Sequence, residues 1–263
     1  MNVTQVLDKK KTNISQQLIG ILRWEIELGK IDIMAEVRCL SQHLAEPSEG
    51  HLIVVCKIFK YLSLRFKNGR GRMVFNGKFM VIDSAVFNDF NTEEWMDFYS
   101  DARKEYPTRM PEPFDNLVHV LAYVDANHAG NMKTRRSHSG ILMYVNQAPI
   151  IWYSKRQNTV EASSFGSEYI ALRICTEVVE ALRYKLKCFE VPVEGPADVL
   201  CDNRSVVTNS SVPTSVLNKR HNAICYHCVR EPQAAGIIRV DWIEAQKNVA
   251  DLFTKTTLSN ESK

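Results

Sequence analysis

The sequence lacks the marks of a membrane or secreted protein. No apolar run approaches the roughly 20 residues that a helix needs to cross a bilayer, and the polar, lysine-rich first 13 residues do not resemble a signal peptide. The seven cysteines are an odd number, and most sit in apolar runs, as Cys56 and Cys175 do. This pattern indicates reduced, buried thiols and no disulfide framework. We therefore expect an intracellular protein without a membrane partner.

A strong net charge is also missing, since the formal value is only +3. Such a mild basic balance permits a nucleic-acid partner without arguing for one. With 45% hydrophobic and 24% charged residues the composition is that of a globular protein. A length of 263 residues leaves room for one large domain or two small ones.

The first part of the chain predicts helices. Apolar residues recur at three- and four-residue spacings over 14–28, 33–44 and 49–66. The stretch 67–115 is irregular, and Pro107, Pro111 and Pro113 mark it as a linker. We expect a small helical segment over 1–66, which contains no convincing chemistry, followed by this connection.

The pattern of apolar residues changes over residues 116–258, and residues 259–263 form a short tail. Here the patterns predict strands at 117–124, 140–145, 148–153, 197–201 and 237–243. Helices are predicted at 163–189, near Asn203, at 217–235 (closed by Gly236) and at 248–256. The order of three strands, helix, strand, helices, strand and helix predicts an α/β fold with a mixed five-stranded sheet.

Three carboxylates of this region lie at the ends of predicted elements. Asp125 and Asp202 follow buried strands, where α/β folds place their sites. For Asp125 the alternative is a turn aspartate, and for Asp202 it is a helix cap. Asp251 lies near the start of the last helix, where the helix dipole alone would favour a carboxylate.

Glu168 is more informative, because helical spacing puts it on one face with Leu172, Cys175 and Val179. A bare carboxylate on a core face costs several kcal/mol unless it is paired or bound to metal. The alternative is a salt bridge to an arginine or lysine. If all four carboxylates meet at one sheet edge, their repulsion requires cations, and oxygen ligands suit Mg²⁺ or Mn²⁺.

Short motifs between 123 and 255 follow one another in a recognisable order. They are Tyr123-Val-Asp-Ala-Asn-His-Ala-Gly130, Thr134-Arg-Arg-Ser137, Ser139-Gly140, Pro149-Ile-Ile-Trp-Tyr-Ser-Lys155, Ser167-Glu-Tyr-Ile-Ala-Leu172, Cys201-Asp-Asn203 and Ala250-Asp-Leu-Phe-Thr-Lys255. Together they resemble the ribonuclease H domain of copia-type retrotransposon Pol polyproteins.

This resemblance implies a ribonuclease H-like fold and cleavage of the RNA strand of an RNA–DNA hybrid. The family's four catalytic, metal-binding carboxylates fall on Asp125, Glu168, Asp202 and Asp251. They would hold two Mg²⁺ (or Mn²⁺) ions. The resemblance also implies the hybrid as a partner and a location in a cytoplasmic particle or the nucleus.

The likeness reaches back into the helical segment. Gln17-Leu-Ile-Gly20, Ile31-Asp-Ile33 and Tyr61-Leu62 look like the thumb or connection helices that follow a reverse transcriptase palm. The Tyr-x-Asp-Asp polymerase signature is absent from the sequence. We therefore expect no polymerase active site in this chain, and the polymerase part of the same polyprotein as a partner.

Some positions depart from the family pattern. His128 stands where members usually have tryptophan, and Pro232 sits inside a helix that it could kink. The loop 244–248 contains no histidine, a residue thought to aid turnover in some ribonucleases H, so slow turnover is expected.

Two further sets of side chains suggest binding. Arg135, Arg136, Lys155 and Arg156 could contact the phosphates of a hybrid duplex, which positions it without sequence readout. The alternative is solvated loop charge. A zinc site is a weaker possibility for a cysteine and histidine set that lies close in sequence. Its members are His221, Cys225, His227 and Cys228.

Two rival functions stay open. One is an inactive retroelement remnant that binds nucleic acid or only persists as a fold. The other is a transposase or integrase core on the same fold, but such cores place a glutamate last, on a late helix. Here Glu168 comes second among the four carboxylates, which favours ribonuclease H.

Overall fold

A computed structural model describes residues 5–67, 75, 78, 91–103, 106–114, 116–131, 133–218 and 220–255. The predicted tail at 259–263 lies outside them. The chain divides into two compact units, residues 1–74 with 255–263, and residues 75–254. Within the described part, no helix has the length and apolarity to cross a membrane.

The first unit consists of the three predicted helices, with shifted ends. They are α1 (Lys9–Glu27), α2 (Met34–Ser41) and α3 (Glu49–Lys67). Helix α1 begins earlier than predicted because the side chain of Asp8 accepts a hydrogen bond from the backbone N–H of Lys11 at 2.8 Å. The helices bury one apolar stripe each, made of Ile19, Leu22, Ile26, Val37, Leu40, Val55 and Ile58.

Exposure of several cysteines corrects the prediction of a buried set. Cys175 and Cys201 are buried, but Cys56, Cys188 and Cys228 are exposed. Cys56 shows the reason, because the amphipathic helix α3 buries its neighbour Val55 while Cys56 faces solvent. An apolar run on a surface helix therefore does not settle the burial of each member.

The second unit is the predicted α/β fold with a mixed five-stranded sheet. Its elements are β1 (Val120–Asn127), β2 (His138–Val145), β3 (Ala148–Arg156), α4 (Ser164–Cys188), β4 (Ala197–Cys201), α5 (Arg204–Ser211), α6 (Ala223–Ala234), β5 (Ile238–Trp242) and α7 (Asp251–Thr254). The strand order is β3-β2-β1-β4-β5. Strands β1, β2 and β3 pair antiparallel, while β4 pairs parallel with both β1 and β5. The predicted fold class is confirmed.

Helix α4 covers one face of this sheet. Val120, Ala122 and Val124 of β1 are fully buried in one core cluster with Leu172 and Val179 of α4. Burying each large aliphatic side chain contributes about 1.5–3 kcal/mol. This packing fixes how α4 lies over β1, and with it the position of every α4 side chain on the sheet side.

Arg230 organises the region around α6. Its guanidinium donates hydrogen bonds of 2.5–2.8 Å to the carbonyl oxygens of Asn209, Val212 and Pro213. It also lies over the rings of Trp95 and of two tyrosines, Tyr99 and Tyr226. Carbonyl dipoles and aromatic faces thus stabilise a charge that is 2% exposed.

Helix α6 is shorter than the predicted 217–235, because it starts only at Ala223. Pro232 lies inside it without ending it. Proline lacks an N–H, so the helix continues to Ala234 without the hydrogen bond that position 232 would donate to the carbonyl oxygen of Cys228. Gly236 follows the helix with a φ of 67°, as the predicted closing residue requires.

Helix α7 is only one turn long, against the predicted 248–256. Side-chain hydrogen bonds place this short helix on the sheet. Asn248 Nδ2 donates to the carbonyl oxygen of Val124 at 2.9 Å, and Ser154 Oγ donates to the carbonyl oxygen of Phe253 at 2.6 Å. The second contact satisfies one of the carbonyl groups that have no helical partner at the end of a helix.

Gly140 of β2 allows α7 to approach the sheet. A Cβ added at this position would lie 2.7 Å from Thr254 Cγ2, 2.9 Å from the carbonyl oxygen of Ala250 and 3.0 Å from Phe253 Cβ. The carbonyl oxygen of Ala250 and the Cβ of Phe253 cannot shift without the backbone of α7, so α7 itself would have to move.

We predict that Gly140→Ala destabilises the second unit by about 1–3 kcal/mol, because overpacking forces backbone shifts. Urea denaturation measures this change, and hydrogen exchange of the α7 amides reports the displacement. Gly20→Ala is the control, since a Cβ at Gly20 meets nothing within 4 Å and alanine favours the α1 interior by up to about 1 kcal/mol. Unchanged stability and exchange in Gly140→Ala would contradict the close packing.

Candidate metal centre

Asp125 lies inside β1, two residues before its end, and is 3% exposed. The sequence placed it at the strand end, but pairing of Asn127 with His138 extends β1 beyond it. The alternative of a turn aspartate is therefore wrong. The hydroxyl of Thr254 in α7 donates a hydrogen bond to Asp125 Oδ2, so α7 holds this carboxylate in place.

Asp202 directly follows β4. Parallel register pairs Val124 with Cys201, so Asp125 and Asp202 come next in line on two adjacent strands. The helix-cap alternative for Asp202 is wrong, because Asn203 occupies the N-cap of α5 and its Oδ1 accepts from the backbone N–H of Val206 at 3.3 Å. The Asp202 side chain is thus not used as a cap.

Glu168 lies in the second turn of α4 and is 7% exposed. It shares the sheet-facing side of the helix with the buried Leu172, Cys175 and Val179, as predicted. The N-terminal end of α4 therefore brings a carboxylate beneath the end of β4.

Asp251 is the first residue of α7. The turn before it is closed by Asn248, whose Oδ1 accepts from the backbone N–H of Ala250 at 3.1 Å. Asn248 and Thr254 thus fix both ends of α7, and Asp251 is carried between them.

The structure brings all four predicted carboxylates together as two overlapping groups. Asp125, Asp202 and Asp251 form one group, and Glu168, Cys201 and Asp202 form the other. Within each group the potential ligand atoms all lie within 4.8 Å of one another. Asp202 belongs to both groups, so it is the point at which two adjacent cation positions would meet.

Cys201 was not predicted as part of this centre. Burial raises the pKa of its thiol well above the usual value, and the negative charge of Glu168 adds to the effect. Cys201 is therefore a protonated, neutral thiol at neutral pH. The one signal in the sequence was its place directly before Asp202.

Thr254 was also missed, although it belongs to the motif that ends at Lys255. It is fully buried, and its hydroxyl lies 3.3 Å from the carbonyl oxygen of Asp251 as well as bonding to Asp125. One side chain thus links the strand carboxylate to the helix carboxylate.

The four predicted nucleic-acid contacts gather at the same end of the sheet. Arg156 and Lys155 of β3 pair with His138 and Ser139 of β2, next to Gly140, which pairs with Asp125. The loop that carries the two other arginines, Arg135 and Arg136, leads directly into β2.

Asn131 gives that loop a fixed shape. Its Oδ1 accepts hydrogen bonds from the backbone N–H groups of Lys133 and Thr134 at 3.1 and 2.8 Å. Its carbonyl oxygen accepts a hydrogen bond from the backbone N–H of Arg135 at 2.7 Å. Arg135 has a φ of 55°, which is uncommon for a residue other than glycine. Arg135 and Lys155 are exposed, while Arg136 and Arg156 are half-buried.

The proposed zinc ligands do not form such a group among the residues that the structure describes. His227 Nδ1 instead lies 2.8 Å from the Tyr99 hydroxyl, and Cys228 is exposed. His221 lies 3.9 Å from Glu161. These contacts give the histidines roles in packing and charge pairing.

A further buried carboxylate, Asp198, lies at the opposite end of β4. Its Oδ1 accepts from Arg239 Nε at 2.7 Å, and its Oδ2 lies 2.7 Å from His119 Nε2. Arg239 also lies 3.8 Å from Asp241. The Arg239 guanidinium therefore balances this carboxylate, which makes the two a structural ion pair.

Relatives of this chain include transposon polyproteins, and no family model matches it. The retrovirus-related Pol polyprotein from transposon RE1 of Arabidopsis thaliana is 24% identical over 238 residues, 90% of this chain and 13% of the relative. That from transposon TNT 1-94 of Nicotiana tabacum is 31% identical over 145 residues, 54% of this chain and 11% of the relative. The chain thus spans about a tenth of the length of these relatives.

Solved structures similar to the chain include two ribonucleases H1. LC11-RNase H1 in complex with an RNA/DNA hybrid is 16% identical, with a TM-score of 0.42, over 55% of this chain and 99% of that one. RNase H1 from Halobacterium salinarum NRC-1 is 14% identical, with a TM-score of 0.40, over 54% and 98%.

Three relatives that match over 53–90% of this chain are retrovirus-related Pol polyproteins. The chain is thus a homologue of the retrovirus-related Pol polyproteins of copia-type transposons.

Proposed function

We propose that the chain is a ribonuclease H-type endonuclease that hydrolyses the RNA strand of RNA–DNA hybrids as part of a retrotransposon Pol polyprotein. The observation that carries the proposal is the pair of ligand groups that share Asp202 at one end of the mixed sheet. The homology to Pol polyproteins supplies the substrate class, because reverse transcription produces such hybrids.

The chemistry of the donor set fits two Mg²⁺ or Mn²⁺ ions. Carboxylate oxygens are the ligands that these hard cations prefer, and the burial of Asp125 and Glu168 makes a positive charge beside each of them favourable. Asp125, Asp202 and Asp251 would hold one ion, and Glu168 with Asp202 the other. When bound, such ions stabilise the attacking and leaving oxygens of a phosphodiester.

The protein's own contribution is to fix the carboxylates before substrate binds. Thr254 orients Asp125 by its hydrogen bond, and the docked helix α7 sets Asp251 opposite the strand ends. Helix α4 fixes Glu168 through its apolar packing on β1. Held ligands lose less entropy when cations and substrate arrive, which lowers the barrier to reaction.

We also propose that the basic residues at this end of the sheet contact the phosphates of the hybrid. Arg135 and Lys155 are exposed, and Asn131 fixes the loop that carries Arg135. Contacts of this kind position a duplex without reading bases, and an RNA-containing duplex is recognised by its shape and its 2′-hydroxyls.

Cleavage of a labelled RNA–DNA hybrid tests the activity. We expect cutting of the RNA strand alone with Mg²⁺ or Mn²⁺, and none with chelator. Asp125→Asn and Glu168→Gln should each lower the rate about 10³-fold or more, because a lost cation ligand removes several kcal/mol of transition-state stabilisation.

Glu177→Gln is the matched control for Glu168→Gln on the same helix. Glu177 is 52% exposed and pairs with Arg173, so its loss costs only about 0.3–0.5 kcal/mol of stability and should leave cleavage unchanged. A folded chain that cuts no hybrid with either ion would contradict the proposal and favour an inactive remnant. Full activity in Asp125→Asn would refute the site assignment.

The phosphate contacts are tested by binding of a hybrid to the Asp125→Asn chain at several salt concentrations. Adding Arg135→Ala and Lys155→Ala should weaken binding and reduce the slope of log affinity against log salt by about one for each phosphate that is no longer neutralised. Lys185→Ala is the control, since this exposed lysine lies 17 residues beyond Glu168 on α4, about 25 Å away. An unchanged slope in the double variant would show that these charges are only solvated.

A further inference from the structure

We propose that Cys201 turns the Glu168–Asp202 half of the centre into a binding site for a thiophilic divalent cation such as Cd²⁺ or Zn²⁺. The inference rests on the proposed role of Glu168 and Asp202 as cation ligands. It makes the two halves of the centre chemically different, and it adds a competing class of cation to the Mg²⁺ or Mn²⁺ of the proposed function.

The geometry of the two ligand groups carries the inference. Cys201 Sγ and one carboxylate oxygen each from Glu168 and Asp202 lie within 4.8 Å of one another. The second group, formed by Asp125, Asp202 and Asp251, contains only oxygen atoms. Sulfur is therefore available at one cation position and absent from the other.

The position of Cys201 in the fold explains this asymmetry. It ends β4 and belongs to the core cluster on the α4 side of the sheet, from which Glu168 also reaches the centre. Asp251 is carried by α7. Asp125, which pairs with Gly140, is hydrogen-bonded to Thr254 of the same helix. Each half of the centre thus takes ligands from a different helix.

Ligand chemistry then selects the cation. Zn²⁺ binds thiolate at about 2.3 Å and carboxylate oxygen at about 2.0–2.2 Å, so a tetrahedral ion needs its ligands about 3.5 Å apart. Because the ligand atoms already lie within 4.8 Å of one another, side-chain shifts of about 1 Å bring them to that spacing. When the S–metal bond forms, the thiol S–H bond breaks and the proton leaves to solvent, with no change in oxidation state.

Mg²⁺ behaves differently at the same position. It is a hard cation that takes oxygen ligands and keeps several waters, so it leaves the thiol protonated. A thiophilic cation gains a bond to sulfur that Mg²⁺ does not make, and Zn²⁺ also brings a tetrahedral geometry unlike the octahedral one of Mg²⁺. We therefore expect Cd²⁺ or Zn²⁺ to displace Mg²⁺ from this half of the centre and to inhibit the proposed cleavage.

The experiment is a Cd²⁺ titration followed by the ultraviolet thiolate-to-cadmium charge-transfer band. It uses the full chain with five cysteines replaced by serine, namely Cys39, Cys56, Cys188, Cys225 and Cys228, which are exposed or partly exposed. Two cysteines remain in this background. Cys201 lies in the centre, while Cys175 is buried in the α4 core and belongs to neither ligand group.

We expect one equivalent of Cd²⁺ to produce the band, Cys201→Ser or Cys201→Ala to remove it, and Cys175→Ser to leave it unchanged. Glu168→Gln should weaken Cd²⁺ binding at least tenfold while both cysteines stay in place. Circular dichroism of each variant confirms folding.

The inference is overturned if the background chain gives no band, if the band survives in a folded Cys201 variant, or if Glu168→Gln binds Cd²⁺ as tightly as the parent. The band does not depend on catalysis, so its outcome is separate from that of the cleavage assay. A chain that shows the band and cuts no hybrid would contradict the proposed function alone.

Discussion

Parallel pairing of β1 with β4 is the interaction on which the centre depends. The register that sets Val124 against Cys201 brings Asp125 and Asp202 side by side, although 77 positions separate them in the sequence. The two other carboxylates are added to this pair from helices. Glu168 comes from α4 beneath the sheet, and Asp251 comes from α7. A change of register would separate the two strand carboxylates. The carboxylates on the helices would then have no adjacent pair with which to form a cation site.

Close approach of α7 is the second requirement. This helix has one turn and gains little from its own hydrogen bonds. It is held by Asn248, Ser154 and the absence of a side chain at Gly140. Thr254 then uses that proximity to bind Asp125. A short element fixed by several specific contacts can place a ligand accurately, but it is also the part of the centre most sensitive to substitution.

Periodicity and motif order predicted most of the fold, and they singled out four carboxylates that the structure brings together. The β4 segment 197–201 and the core face of α4 were found because burial on both sides of a strand and on one side of a helix leaves a clear pattern. Local patterns failed where contacts distant in sequence decide. Pairing with His138 extends β1 past Asp125, and α7, which packs closely against Gly140 of β2, has only one turn.

Sequence patterns also did not reveal side-chain roles that depend on partners distant in the sequence. Nothing near Arg230 in the sequence indicates the three carbonyls and three aromatic rings that surround it. Cys201 carries the alternation of an ordinary core residue, and only the fold puts its sulfur beside two carboxylates. Asp202 was a candidate for the N-cap of α5, but Asn203 takes this position. Which of the two residues does so depends on the exact residue at which β4 ends.

The sharing of Asp202 between two cation positions is the central claim, and counting bound Mn²⁺ tests it most directly. Electron paramagnetic resonance of free Mn²⁺ would give the number of ions held by the chain with a 2′-fluoro hybrid, which resists cleavage. The account predicts two ions for the parent, one for Asp251→Asn, and the loss of both for Asp202→Asn. An Asp202→Asn chain that folds and still binds two ions would contradict it.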